Sequence, residues 1–257
     1  RRLYTGDHPD IAVSESNVGA ALIMMHSASE ALPHFQTSVD MFRRLNPKDH
    51  YYTAQAVGNV AFCLQQLGRL EDALPLYTES LDMYRRLFPG TSEPVAGALN
   101  NLGYCLAEMN RLEDALAAHQ KALEMRRILK GEEPRARSLS SVGTVLVRME
   151  RPAEAEPFLR ESLALSQKLW PDGHRHAQYR YITMSALGES LGMQGEFAAG
   201  ESMLLQACDG LATVPKLTLD DPESGRKAMQ RLEKFYRTWE QDDPGKGHGT
   251  KAAEWKA

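Results

Sequence analysis

The stretch that decides the fold is residues 93–129, EPVAGALNNLGYCLAEMNRLEDALAAHQKALEMRRIL. Its apolar residues recur at helical spacing on both sides of a short polar turn, which predicts two amphipathic helices. Each predicted helix carries a small residue, Gly103 in the first and Ala115 in the second, twelve positions apart. The same spacing recurs every 40 to 45 residues, in Gly19 with Ala31, Ala61 with Ala73, Gly143 with Ala155, and Gly188 with Gly200. A fixed period of this size is typical of stacked repeats.

The recurring small residues have a packing explanation. Two helices approach closely only where one of them presents little side chain to the other. A glycine inside a helix costs about 1 kcal/mol relative to alanine, so its repetition needs a reason. We therefore expect the two small residues of each pair to mark the contact between its helices. A third small set, seven positions later, is expected to let the second helix contact the next repeat: Ser38, Ser80, Ala122, Ser162 and Ala207.

Two blocks of sequence carry a family resemblance. The segments NVGAAL, NVAFCL, NLGYCL, SVGTVL and ALGESL resemble the L-G-x-x-Y block of tetratricopeptide (TPR) repeats. The segments EALPHF, EDALPLY, EDALAAH, AEAEPFL and FAAGESM resemble the block that follows it. The period and the loop GDHPD at 6–10 resemble the 42-residue variety of kinesin light chains. This resemblance implies an all-α protein, a right-handed α-solenoid of stacked antiparallel helix pairs.

The chain is expected to divide into two parts. Residues 1–212 are predicted to form five helix-hairpin repeats, preceded by the end of a truncated repeat at 1–5. Residues 213–257 are predicted to form a loop and capping helices, a degenerate sixth repeat that covers the apolar end of the array. The predicted helices cover residues 9–26, 29–45, 49–67, 70–88, 92–109, 112–130, 135–149, 152–169, 176–194, 196–212 and 222–240, followed by KAAEWKA.

The function follows from the surface that such an array presents. In stacked helix pairs the first helices line a concave groove. Asparagines there suit peptide recognition, because one amide both donates to and accepts from a peptide backbone. Aromatic side chains would hold an apolar anchor, and arginines would meet an acidic group. Alternatively, the side chains are only solvated or packed, and Phe62 is core. The candidate groove residues are Asn17, Gln55, Asn59, Phe62, Gln66, Asn100, Asn101, Tyr104, Glu108, Arg137, Ser140 and Arg148.

The family resemblance makes the ligand more specific. Arrays of the kinesin-light-chain type bind extended peptides in this groove, partly through the asparagines of an N-N-L-A block. In this chain Asn100 and Asn101 reproduce the doublet, and Asn17 and Asn59 are single matches. The Lys/Asn clamp that other members use for a C-terminal carboxylate is not evident. A chaperone-tail ligand is therefore disfavoured.

Composition and motifs argue against other classes of function. The net charge of −4 offers no basic stripe for nucleic acid, and no apolar run approaches the ~20 residues of a membrane span. The phosphate-loop, H-E-x-x-H and C-x-x-C motifs are absent. His174 and His176 lack further metal ligands nearby, so we expect no catalytic residue, metal or cofactor. Cys63 and Cys105 are interpreted as buried thiols, which suits a reducing, cytoplasmic location.

The sequence therefore predicts a non-enzymatic module that binds a protein or peptide. One alternative is the regulatory or substrate-docking arm of a larger bacterial serine/threonine kinase, because the tail resembles the end of repeat regions attached to such kinases. A catalytic domain would then lie upstream of Arg1, where the match of RRLY to RRLN and RRLF predicts at least one further repeat. A third hypothesis is self-association through the solenoid ends or the Trp239 and Trp255 tail.

Overall fold

The computed structural model describes residues 6–171, 174, 176–214 and 224–255, and within these ranges the chain is helical with no strand. The helices are α1 (Pro9–Met24), α2 (Ala28–Leu45), α3 (Tyr51–Gln66), α4 (Leu70–Leu87), α5 (Glu93–Glu108), α6 (Leu112–Leu129), α7 (Glu132–Arg148), α8 (Pro152–Leu169), α9 (Gln178–Met193), α10 (Phe197–Thr213), α11 (Ser224–Asp242) and α12 (His248–Glu254). The five predicted pairs, α1/α2 to α9/α10, are present with bounds within three residues of those expected. The fold is an all-α, TPR-like solenoid of helix pairs, as predicted. The expected truncated repeat at residues 1–5 lies outside the described residues.

The chain forms two compact units, residues 1–129 and 130–257. In the first unit, α1 packs on α2, α3 on α4 and α5 on α6, while α2 also packs on α3 and α4 on α5. In the second unit, α7 packs on α8, α9 on α10 and α11 on α12, with α8 against α9 and α10 against α11. The predicted boundary near residue 212 separates regular repeats from a degenerate one, which is a different division from these two units, and it stays a prediction.

The same turn joins the two helices of every pair from α1/α2 to α9/α10. One residue adopts a left-handed backbone, with φ between 57° and 81°, at His26, Gly68, Asn110, Glu150 and Gly195. The next backbone N–H then donates to a leucine carbonyl five residues back, at 2.9 Å in each turn. This bond satisfies a carbonyl that the end of the first helix would leave unpaired. The accepting leucines are Leu22, Leu64, Leu106, Leu146 and Leu191.

The recurring small residues lie where the two helices of a pair meet, as predicted. A Cβ atom added to Gly103 would stand 2.7–2.8 Å from three ring atoms of His119 on α6. Phe35 fills the same place beside Gly19, and Leu159 fills it beside Gly143. At these three positions the first helix needs glycine, because the second helix inserts a large side chain there.

The third small set acts mainly within its own pair, which differs from the expectation. The hydroxyl groups of Ser38, Ser80 and Ser162 donate to backbone carbonyls of the first helix, at Ala12, Ala54 and Ala136, over 2.7–2.8 Å. These buried serines therefore bond the two helices of one hairpin. Ser162 also lies 3.4 Å from the Thr183 hydroxyl on the next first helix, which is the predicted kind of contact.

Two of the cysteines, Cys63 and Cys105, contact the preceding repeat through their thiol groups. Cys63, Cys105 and Cys208 are buried and free, in agreement with the sequence interpretation. Cys63 donates from Sγ to the Ala28 carbonyl on the preceding second helix, at 2.9 Å. Burial raises the pKa of the Cys63 and Cys105 thiols to about 11, so both stay protonated and are unreactive at neutral pH.

The tail covers the apolar side of the α9/α10 pair. Phe235 of α11 packs into a space left by Gly192 and Gly200. Trp239 stacks on Phe197 at a centroid distance of 5.2 Å and on the buried His248 of α12 at 4.0 Å. These aromatic contacts protect apolar surface that would otherwise face solvent. The description of residues 213–257 as a degenerate sixth repeat stays a prediction.

Candidate functional site

First helices lie side by side within each unit. In the first unit α3 touches both α1 and α5, and in the second unit α9 touches both α7 and α11. Each unit therefore has its own first-helix surface, built from equivalent positions of successive repeats. Nine of the predicted groove residues lie in the first unit, between Asn17 and Glu108, and Arg137, Ser140 and Arg148 lie in the second.

Three asparagines form a row across the first-helix surface of the first unit. Asn17, Asn59 and Asn101 occupy one repeat position on α1, α3 and α5, two residues before the small residue. Asn17 and Asn101 are exposed, and Asn59 is half-buried. None of their side chains has a hydrogen-bond partner within residues 6–129 or elsewhere in the described structure. The asparagine row thus presents three amides with both donor and acceptor groups open to solvent.

The neighbouring Asn100 has a different environment. It is buried, and its Oδ1 accepts a hydrogen bond from Nδ1 of His119 at 2.9 Å. Successive helical residues point about 100° apart, so Asn100 faces the second helix while Asn101 faces solvent. Burial, and then the charge of Arg126, lowers the pKa of His119 to about 3, so the imidazole is neutral. Asn100 therefore positions His119, and its predicted contact with a ligand stays a prediction.

A chain of hydrogen bonds connects Glu108 to the core. The Tyr77 hydroxyl donates to Oε1 of Gln65 at 2.7 Å, and Nε2 of Gln65 donates to Oε1 of Glu108 at 2.9 Å. Gln65 is buried, whereas Glu108 is exposed. The exposed carboxylate is therefore held in place by a buried amide of the preceding repeat. Gln65 was missed in the sequence, and the available signal was a polar residue where equivalent repeats have Ile23 and Ala107.

The predicted aromatic contacts differ in exposure. Tyr104 is 39% exposed, and its ring packs edge-on against His119 at a centroid distance of 4.9 Å. Phe62 is half-buried and packs against the core of the first unit. Both the anchor role and the core role therefore stay open for Phe62. Gln55 and Gln66 are exposed on the same helix.

The second unit presents a more basic surface. The Arg137 guanidinium lies over the Tyr179 ring, 4.6 Å from its centroid. The Ser140 hydroxyl, one turn later on α7, is hydrogen-bonded to the Thr183 hydroxyl over 2.9 Å. Arg148 is exposed at the end of α7. On α9, Glu189 is paired with Arg231 and Lys234 of α11, at 3.0 and 3.2 Å.

Three other kinds of feature would also indicate function in the described ranges: a metal site, an anion site in the glycine-rich loop and a membrane-spanning helix. No three His, Cys, Asp or Glu side chains converge as a metal ion would require, as far as the described ranges extend. The N–H groups of Gly245, in the loop after α11, and Gly249, in the first turn of α12, donate to the Glu240 carboxylate at 2.8 and 2.9 Å. These amides already bind an anion of the protein itself. None of the described helices is both long and apolar enough to cross a membrane.

Comparison with known families agrees with the geometry. The family model described as tetratricopeptide repeat matches three overlapping stretches, residues 10–86, 52–128 and 94–168. Together these matches cover more than half of the chain. A comparison with curated protein sequences finds no significant match.

Several solved structures share the fold. A kinesin-light-chain protein with nearly identical TPR-like repeats from Podosopora anserina has a TM-score of 0.66 at 14% identity, over 80% of this chain and 98% of that one. BtubC (BKLC) from P. vanneervenii gives 0.60 at 15%, over 96% and 89%. The Rap conjugation gene regulator of plasmid pLS20, solved in complex with the Phr* peptide, gives 0.63 at 12%, over 95% and 62%. At such identities the similarity concerns the fold alone.

Proposed function

Because this chain belongs to the tetratricopeptide-repeat family, a fold that is generally non-catalytic and supports a protein-interaction scaffold, we propose that its first-helix surfaces bind peptide segments of a partner protein. The observation that carries this proposal is the asparagine row, three open amides at one repeat position of α1, α3 and α5. Such amides pair with the N–H and C=O groups of a peptide main chain whatever its side chains are. The proposed ligand is therefore an extended segment.

Supporting contacts lie beside the row. Tyr104 exposes part of its ring three residues after Asn101 on α5, where it would receive an apolar side chain of the ligand. Glu108 follows one turn later, already held by Gln65. A structural neighbour of the same fold was solved with a bound peptide, the Rap regulator with Phr*. That complex supports the idea that such a fold accommodates a peptide.

The test is a display selection of random 12-residue peptides against the full chain, followed by affinity measurements on the selected peptides. Replacing Asn17, Asn59 and Asn101 together with alanine is expected to weaken binding about 100-fold, since each lost hydrogen bond contributes about 1 kcal/mol. The matched control replaces Gln36 and Gln120, exposed amides on the second helices α2 and α6, and should leave affinity unchanged.

A second arm tests the main-chain character of the recognition. Methylating single backbone nitrogens of a selected peptide removes one donor without changing a side chain, and about three positions should be sensitive, one for each asparagine. The proposal is refuted if no peptide is selected. It is also refuted if the triple asparagine variant binds as well as the control while its circular dichroism spectrum remains native.

A further inference from the structure

The guanidinium group of Arg137 is positioned by an aromatic ring and not by an ion pair. Its carbon Cζ lies 4.6 Å from the centroid of the Tyr179 ring, and the side chain is half-buried. No carboxylate within the described ranges forms an ion pair with it. Glu133, four residues earlier on α7, stands at a spacing that favours pairing on a helix, yet makes no contact with it. Stacking on Tyr179 turns the guanidinium toward α9 instead.

Several other cations of the same unit are paired. Arg151 binds Glu154 at 2.7 Å, and Arg160 binds Glu156 at 2.6 Å. Lys168 binds Glu132 at 2.9 Å. In the chemistry of arginine, stacking uses the face of the guanidinium plane and leaves the N–H groups at its edge to bind a carboxylate with two parallel bonds. The unpaired Arg137 therefore retains donors that its neighbours have already used.

One open hydroxyl group lies further along α7 on this face. The Ser140 hydroxyl is already used, because it bonds to the Thr183 hydroxyl over 2.9 Å and the single hydrogen of Thr183 is directed at the Tyr179 carbonyl, 2.8 Å away. Thr144, one turn further and half-buried, has no hydrogen-bond partner in the described part of the chain. The positions from 137 to 144 on this face therefore offer one guanidinium and one open hydroxyl group, with no carboxylate among them. The carboxylate on the adjacent helix α9, Glu189, is held by Arg231 and Lys234.

We infer that Arg137 forms a subsite for the carboxylate of an Asp or Glu side chain in the bound peptide. This inference rests on the proposed function and adds a charge requirement to it. Charge complementarity selects this occupant, because the guanidinium supplies a positive charge and parallel donors that a planar carboxylate matches. Tyr179 positions Arg137 before the ligand arrives, which reduces the entropy lost on binding.

The experiment uses the peptides selected by display against the full chain. The wild-type protein should select peptides that share an acidic residue at one position. Changing that residue to Gln should weaken binding about tenfold or more, as expected for loss of a hydrogen bond to a charged group. Arg137→Gln should cause the same loss, and combining both changes should add little further. Arg160→Gln, which removes a paired arginine on the second helix α8, is the matched control and should bind normally.

Reversing the charges of both partners gives the most specific test of the ion pair. Arg137→Glu should bind the parent peptide poorly and should recover binding when the acidic residue of the peptide becomes Lys. The inference fails, while the proposed function stands, if selected peptides depend on the asparagine row but show no acidic preference, or if Arg137→Gln binds them like wild type. If no peptide is selected, the proposed function and the inference fail together. The peptide substitutions need no change to the protein, so misfolding of a variant cannot obscure the result.

Discussion

Replacing Gly103 with alanine tests whether close helix approach explains the recurring small residues. Helix α5 also contains Gly97, which provides a control in the same element. A Cβ atom at Gly97 would meet only Arg126 Nη2, at 4.0 Å, whereas a Cβ atom at Gly103 would stand 2.7–2.8 Å from the His119 ring. Both substitutions improve helix propensity by about 1 kcal/mol. They differ in the space available.

The expected magnitudes follow from the surroundings of His119. Its ring is fully buried and bonded to Asn100, so it has no free direction in which to move. Overpacking of such a site costs about 3 kcal/mol, the upper part of the usual range, and losing the bond to Asn100 costs about 1 kcal/mol more. After the propensity gain, Gly103→Ala should be destabilised by about 3 kcal/mol. Gly97→Ala should be stabilised by about 1 kcal/mol.

Urea unfolding of the full chain, followed by circular dichroism at 222 nm, measures both values. The double variant with Gly103→Ala and His119→Ala should be less destabilised than the sum of its single variants, because removal of the ring makes room for the new methyl group. If Gly103→Ala is as stable as Gly97→Ala, the packing explanation of the repeat period is refuted.

Two further predictions concern single residues whose repeat equivalents provide the control. His119 has a pKa of about 3 in the folded chain against an ordinary value of 6.5, so between these pH values the unfolded state binds more protons and stability falls as pH decreases. From pH 6 to pH 4 this group should cost about 2.5 kcal/mol. The double variant His119→Phe with Asn100→Ser copies Phe35 and Ser16 of the first repeat. In urea titrations it should lose less stability between pH 6 and pH 4 than the wild-type chain. An unchanged dependence of stability on pH would show that His119 is not the group responsible. Glu150→Gly should raise stability by about 1 kcal/mol in the same assay, because Glu150 has a φ of 57° at a turn position that holds glycine in the second and fifth repeats. A lower urea midpoint would contradict that reasoning.

The helix pairs were predictable because their signals are local. Apolar periodicity and small residues at a constant spacing define each hairpin, and they recur in every repeat. The turns were less predictable, because the left-handed position holds glycine at Gly68 and Gly195 but His26, Asn110 and Glu150 elsewhere. The hydrogen bond that closes the turn involves backbone atoms alone, so the side chain at this position gives an incomplete signal.

The candidate site was less predictable than the fold, since its residues acquire their roles from contacts between repeats. Asn100 and Asn101 are adjacent in sequence, yet one bonds to buried His119 and the other faces solvent. The asparagine doublet alone does not distinguish them. Arg137 was predicted to meet an acidic group, but its stacking partner Tyr179 is 42 positions away and belongs to the next repeat.

Comparing equivalent positions separates the structural from the binding requirements of a repeat. The residue that accepts the turn bond is leucine in all five repeats, and the residue beside the inserted side chain is glycine or alanine in all five. The position after that small residue, by contrast, holds Ala20, Phe62, Tyr104, Thr144 and Glu189. One backbone thus presents five unlike side chains on its first-helix surfaces, at a position where hairpin packing accepts side chains of different size and polarity. That separation lets a repeat array change its ligand while it keeps its fold, and it is why we expect specificity to change with substitutions at such positions and stability to change with substitutions at the small residues.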